Sequence, residues 1–163
     1  MRSTPARRAV LVSAVLGLAV TAVPAANAAP AVPAAANAPI NVTLTVKGPD
    51  STLFNGTVRT TGHDVTTASG GTHKCDGTNN GANPTPGATP TAALDDAAKN
   101  KGFTWDGTWY PSFEDYFVST IAGKNGGSTA YWNISVNGTS TPVGGCQFRI
   151  KAGDKVAFTW TEL

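Results

Sequence analysis

Thr89-Pro-Thr-Ala-Ala-Leu-Asp-Asp-Ala-Ala-Lys-Asn-Lys-Gly102 is the one stretch of this 163-residue chain that reads as a helix. The fold class follows from what surrounds it. Thr89 is placed to cap the helix, and Pro90 suits the first helical position because it has no N–H to leave unbonded. Ala93, Leu94, Ala97 and Ala98 form one apolar face. Lys99 and Lys101 sit at the negative end of the helix dipole, and Gly102 ends the run. A helix is predicted over Pro90–Asn100, with a small-residue face that allows close approach to a sheet.

Strand signals flank it on both sides. Upstream, Ile40-Asn-Val-Thr-Leu-Thr-Val46 alternates apolar and polar without a fault, so Ile40, Val42, Leu44 and Val46 face a core. Gly48-Pro49-Asp50 turns the chain, and Gly56–Thr60 reads as a second strand. Residues from Ala68 to Thr89 are mostly Gly, Asn, Pro and Thr and read as a long loop containing Cys75. Downstream, strands are predicted at Phe103–Trp105, Asp115–Ile121, Ala130–Val136, Phe148–Ile150 and Lys155–Thr161. Asn137-Gly138 is a strong hairpin-turn signal, and Ala152-Gly153-Asp154 is the turn into the last strand. One helix among several strands predicts an α+β fold: a mostly antiparallel mixed sheet with one packed helix, β-grasp-like in form.

The N-terminus reads as an export address. Arg2, Arg7 and Arg8 precede an apolar run from Ala9 to Val23, and Ala26-Asn27-Ala28 is a small-x-small exit. This is the order of a signal peptide, and the run is shorter than the roughly 20 residues of a membrane-spanning helix. Cleavage is expected after Ala28, with the protein secreted and no membrane attachment thereafter. Residues 29–39 contain only Ala, Pro, Val and Asn and read as a disordered lead-in to a single domain over residues 40–163. The formal charge of +2 falls to −1 once the three leader arginines are removed. A near-neutral chain with no Lys/Arg cluster excludes nucleic acid as a partner.

Cys75 and Cys146 are the two cysteines, both in the exported part. A disulfide is the direct reading. A metal site built on His73 and Cys75 lacks the three or four ligands zinc takes.

Tyr131-Trp-Asn-Ile-Ser-Val-Asn-Gly138, then Gly144-Gly145-Cys146, then Ile150-Lys-Ala-Gly-Asp-Lys-Val-Ala-Phe158 together resemble the transcobalamin-like C-terminal domain. In that family a W-x-x-x-V-N-G hairpin precedes a G-D-x-V turn and strand. The helix at Thr91–Ala98 also fits the family's single helix. The resemblance spans residues 40–163 and is strongest from Tyr131 onward. It implies a β-grasp-related ligand-binding domain. In the eukaryotic cobalamin carriers this module closes over the corrinoid beside a separate helical domain; many bacterial members are exported proteins of unknown function.

Catalytic motifs are missing: there is no His-Glu-x-x-His, no Gly-x-Ser-x-Gly and no phosphate loop. His63-Asp64 reads as surface decoration. Glu114-Asp115 reads as solvent-exposed, beside an aromatic strand. Asp76–Gly81 begins like a calcium loop, but Gly87 stands where a Glu is required. No metal or cofactor is expected. The aromatics are the remaining signal, since 12 of 13 follow residue 102. Trp132, Phe158 and Trp160 fall on strand faces and read as core. Trp105-Asp-Gly-Thr-Trp109-Tyr110 reads as a turn-rich stretch. Its rings either cover a small core or form a stacking surface, with Trp105, Trp109 and Tyr110 as candidate binding residues.

The functional expectation is a secreted, non-enzymatic module binding an extracellular small molecule, glycan or protein. A structural or adhesive cell-surface component is the alternative. Cobalamin-related binding and a hydrolase using His63 or His73 are further readings.

Overall fold

The computed structural model describes residues 36–163, so the expected leader and most of the lead-in lie outside the described residues. Strand β1 (Ile40–Lys47) alternates as its sequence requires, with Val42, Leu44 and Val46 buried. It pairs antiparallel with β2 (Thr52–Thr60). A hairpin follows, β3 (His63–Thr67) with β4 (Gly71–Cys75). Helix α1 (Pro90–Lys101) comes next. Then come β5 (Trp105–Tyr110), β6 (Asp115–Ile121) and β7 (Lys124–Asn125), which form a three-stranded sheet. Strands β8 (Ala130–Val136), β9 (Thr139–Ser140) and β10 (Lys155–Glu162) complete the main sheet, whose order is β2-β1-β10-β8-β9.

The first and last strands, β1 and β10, run parallel at its centre, while the other neighbours are antiparallel. This is the mixed, mostly antiparallel arrangement of a β-grasp with one helix laid across it, the α+β class expected. Helix α1 packs on β1, β2 and β3. Thr89 caps it by accepting from the Ala92 N–H at 3.2 Å. Gly102 closes it in the left-handed region at φ 73°, its N–H on the Ala98 carbonyl. Ala93, Leu94 and Ala97 meet Val42, Leu44, Val58, Trp132, Val156 and Phe158 in the main core. Full burial of a side chain such as Leu94 or Phe158 contributes about 2 kcal/mol.

Three readings are corrected. Residues 71–75 lie in the expected loop but form β4, against β3. Gly71-Thr-His-Lys-Cys75 carries no apolar alternation, so it holds its place through the ladder and the Cys75 side chain, which is fully buried. Trp105–Tyr110 is a strand, not a turn. The ladder with β6 is bulged opposite its Asp-Gly pair, since Asp106 pairs with Thr120 and Gly107 with Val118, leaving Ser119 as the extra residue; the Asp106 carboxylate accepts from Ser69 and from the Gly107 N–H. A Cβ at Gly107 would press to 2.9 Å on the Phe117 carbonyl oxygen, which explains the glycine. Phe148–Ile150 is not a strand: the Phe148 N–H bonds the Gly144 carbonyl in a local turn, and the Ile150 N–H reaches Ala88. Asn137-Gly138 does make the β8–β9 turn, with φ 53° and 84°, the paired positive values of a type I′ hairpin.

A second, smaller core holds Val65, Cys75, Tyr116 and Cys146, with Trp105 and Trp109 against it. Cys75 and Cys146 are joined in a disulfide that spans 71 residues. The bond ties β4 to the segment between β9 and β10.

Candidate functional site

The turn from β5 to β6 projects aromatic side chains. Tyr110 ends β5, Pro111–Glu114 makes the turn through a Phe113 N–H to Tyr110 carbonyl bond of 3.0 Å, and Asp115 begins β6. Residues 141–147 lie opposite, held by the disulfide at Cys146 and by the Gln147 side-chain amide, which donates to the Phe113 carbonyl. Between them is a cleft of about 540 Å³. Tyr110, Phe113, Phe117 and Val143 line it and are 47%, 61%, 49% and 41% exposed. Tyr116 and Pro142 contribute to its walls.

Asp115 is the buried ionisable carboxylate of the cleft, 5% exposed. Asp115 and Phe117 are two apart on one strand and so share a face. The carboxylate accepts from the Cys146 N–H at 3.2 and 3.0 Å and from the Tyr116 N–H at 2.8 Å. Burial pushes it up to about 6, against the pull of the Cys146, Tyr116 and Gln147 backbone groups. Gly144 leaves it room, since a Cβ there would collide with Oδ2. The expectation that Asp115 is solvent-exposed is therefore corrected. The disulfide loop brings backbone N–H groups to it and leaves it 5% exposed at the cleft wall.

The three aromatics named from sequence do not share one surface. Trp109 and Tyr110 are strand neighbours and face opposite ways. Tyr110 opens into the cleft. Trp109, half-buried, stacks on His73 at a centroid distance of 4.0 Å and an interplanar angle of 4°. Trp105, also half-buried, donates from Nε1 to Asp95 Oδ1 at 3.2 Å. Both indoles meet Tyr116 edge-on, at 5.9 Å for Trp105 and 4.9 Å for Trp109. Tyr116 anchors that wall, its hydroxyl 2.8 Å from the carbonyl oxygens of Val65 and Gly71 and pushed up to about 12 by burial. Phe113, Phe117 and Val143 are not candidates from sequence, and Asp115 reads there only as exposed. One signal was present: Pro111-Ser-Phe113 puts a large ring at a turn, where burial is hardest.

His63 is not surface decoration. Its Nδ1 meets the Thr61 carbonyl at 2.9 Å and its Nε2 meets Asp95 Oδ2 at 3.1 Å. Both partners are acceptors, an arrangement that favours the doubly protonated imidazolium over the neutral ring. The Asp95 hydrogen bond accordingly raises its pKa, against desolvation. Burial raises the Asp95 pKa, but bonds from His63, Lys99 and Trp105 outweigh it and leave the carboxyl below its usual value. This cluster joins β3, α1 and β5. Neither His63 nor His73 lines the cleft.

Residues 90–162 match a domain of unknown function, DUF4430. The DUF4430 match runs from α1 through β10, so it contains all of the cleft lining except Asn80 and leaves β1–β4 outside. No curated protein matches. Among solved structures, haptocorrin in complex with Cbi is similar at 15% identity with a TM-score of 0.50. The likeness covers 77% of this chain and 26% of the haptocorrin chain. This chain therefore spans about a quarter of the haptocorrin chain and shares the fold of that part.

Proposed function

We propose that this chain is an exported binding module of the transcobalamin-like kind, and that it takes a small extracellular ligand in the cleft between the β5–β6 turn and residues 141–147. One observation carries the reading. Five large hydrophobic residues are exposed among the described residues, and four of them, Tyr110, Phe113, Phe117 and Val143, line this one cleft. Clustered exposed apolar surface marks interaction sites, whereas scattered single residues do not. The fold shared with haptocorrin and the disulfide expected of an extracellular protein support the same reading. Of the sequence candidates, Tyr110 contacts ligand, while Trp105 and Trp109 stiffen the wall behind Tyr116.

The test is a titration of the full-length protein with phenylnaphthylamine, an uncharged dye that brightens in apolar sites. Competition with cobinamide, chitin oligosaccharides and wall polysaccharide then narrows the ligand class. Phe113→Ser and Phe117→Ser remove exposed rings, so the fold should stand. Each is expected to weaken dye binding about tenfold, in keeping with the loss of one buried aromatic contact. Dye binding that is absent, or unchanged in both variants, would overturn the assignment. Attachment to wall polymer without displacement of dye would favour a structural or adhesive role instead.

A further inference from the structure

Apolar walls do not account for Asp115. Its carboxylate is 5% exposed, yet the hydrogen bonds it accepts come from backbone N–H groups. The ion pairs among the described residues join His63 and Lys99 to Asp95, His63 to Asp96, and Lys124 to Asp50; none reaches Asp115. No lysine or arginine lines the cleft. Glu114 adds negative charge nearby: its carboxylate accepts from the backbone N–H of Asn80, which lines the cleft. A carboxylate taken out of water is costly without a cation beside it. Rings line the same cleft, and their faces carry the negative end of a quadrupole and attract cations. Rings and carboxylate thus favour the same sign of charge, and the rings also favour a charge dressed in carbon.

We infer that the cleft binds small organic cations, an alkylammonium head set against Asp115 with its apolar substituents on Tyr110, Phe113 and Phe117. This deepens the reading of the cleft as a ligand site and rests on it. A bare metal ion would leave the rings unused, and an anionic ligand would meet the Asp115 carboxylate with no cation beside it.

Calorimetric titration of the full-length protein tests the inference. The probes are choline, benzyltrimethylammonium and the carbon isostere of choline, in which a tert-butyl group replaces trimethylammonium. Both cations are expected to bind about tenfold tighter than the isostere, the gain a desolvated cation–ring contact and one charge partner provide. Asp115→Asn is expected to bring them down to the isostere's level. Equal binding of choline and its isostere by the unaltered protein would overturn the inference, and that comparison needs no variant to fold. If phenylnaphthylamine still binds in that case, the apolar site stands and only the ligand class is wrong. If it fails too, both readings fall together.

Discussion

At the scale of single residues, protons decide stability at two places. Two acceptors favour the charged form of His63, so its folded pKa lies above the unfolded value of about 6.5. The stability it adds is fully present below that unfolded value and is lost as pH rises through the folded one. His63→Gln should therefore cost more at pH 6 than at pH 9, by about 2 kcal/mol, the size of a charge-assisted hydrogen bond. Urea denaturation at the two pH values measures this. A pH-independent cost would show that the ring is neutral. Asp115 has the same sign for a different reason, since burial raises its pKa to about 6. Its contribution is greatest below the unfolded carboxyl pKa of about 3.9 and fades as pH climbs through the folded value. The melting-temperature difference between the protein and Asp115→Asn should shift in favour of the variant between pH 4 and pH 7. Gly144→Ala would drive a methyl group into the same carboxylate, and we expect a loss of about 1–3 kcal/mol in denaturant.

At the scale of elements, legibility tracks how much of an element's geometry is written into its own residues. α1 carries its own start, stop and buried face, and it folds where Thr89, Pro90 and Gly102 say it should. Removing the cap with Thr89→Ala should cost about 1 kcal/mol by urea denaturation. Strands β1, β8 and β10 were legible for the same reason: apolar alternation fixes one face. β4 was not, because Gly71-Thr-His-Lys74 buries little and depends on pairing with β3. β5 was misread because Asp-Gly serves turns and bulged ladders alike, and only the pairing with β6 decides between them. The cleft was the least legible part. Its residues come from a turn, a strand start and an irregular segment, with sequence separations that no local pattern records. Asp115 looked like surface because the N–H groups that bury it arrive from Cys146, 31 positions away.

At the scale of the whole molecule, the disulfide joins the second core to the cleft. Its 71-residue span is worth about 4 kcal/mol by loop entropy. Replacing both cysteines by alanine should lower stability by about that much in a thermal or urea melt. The same change should weaken dye binding, because Cys146 presents the backbone N–H that seats Asp115. Stability loss with full dye binding would separate the two roles.

The parallel pairing of β1 with β10 puts the first and last strands of the described chain side by side at the centre of the sheet. A polypeptide delivered end-on, from a ribosome or through a membrane pore, cannot complete that centre until Lys155–Glu162 has emerged. Until then β1 has β2 on one flank and nothing on the other. The cost of closing so long a loop is met before its contacts reward it. Assembly of the sheet is thus timed by β10: the centre stays open until that strand slots in beside β1.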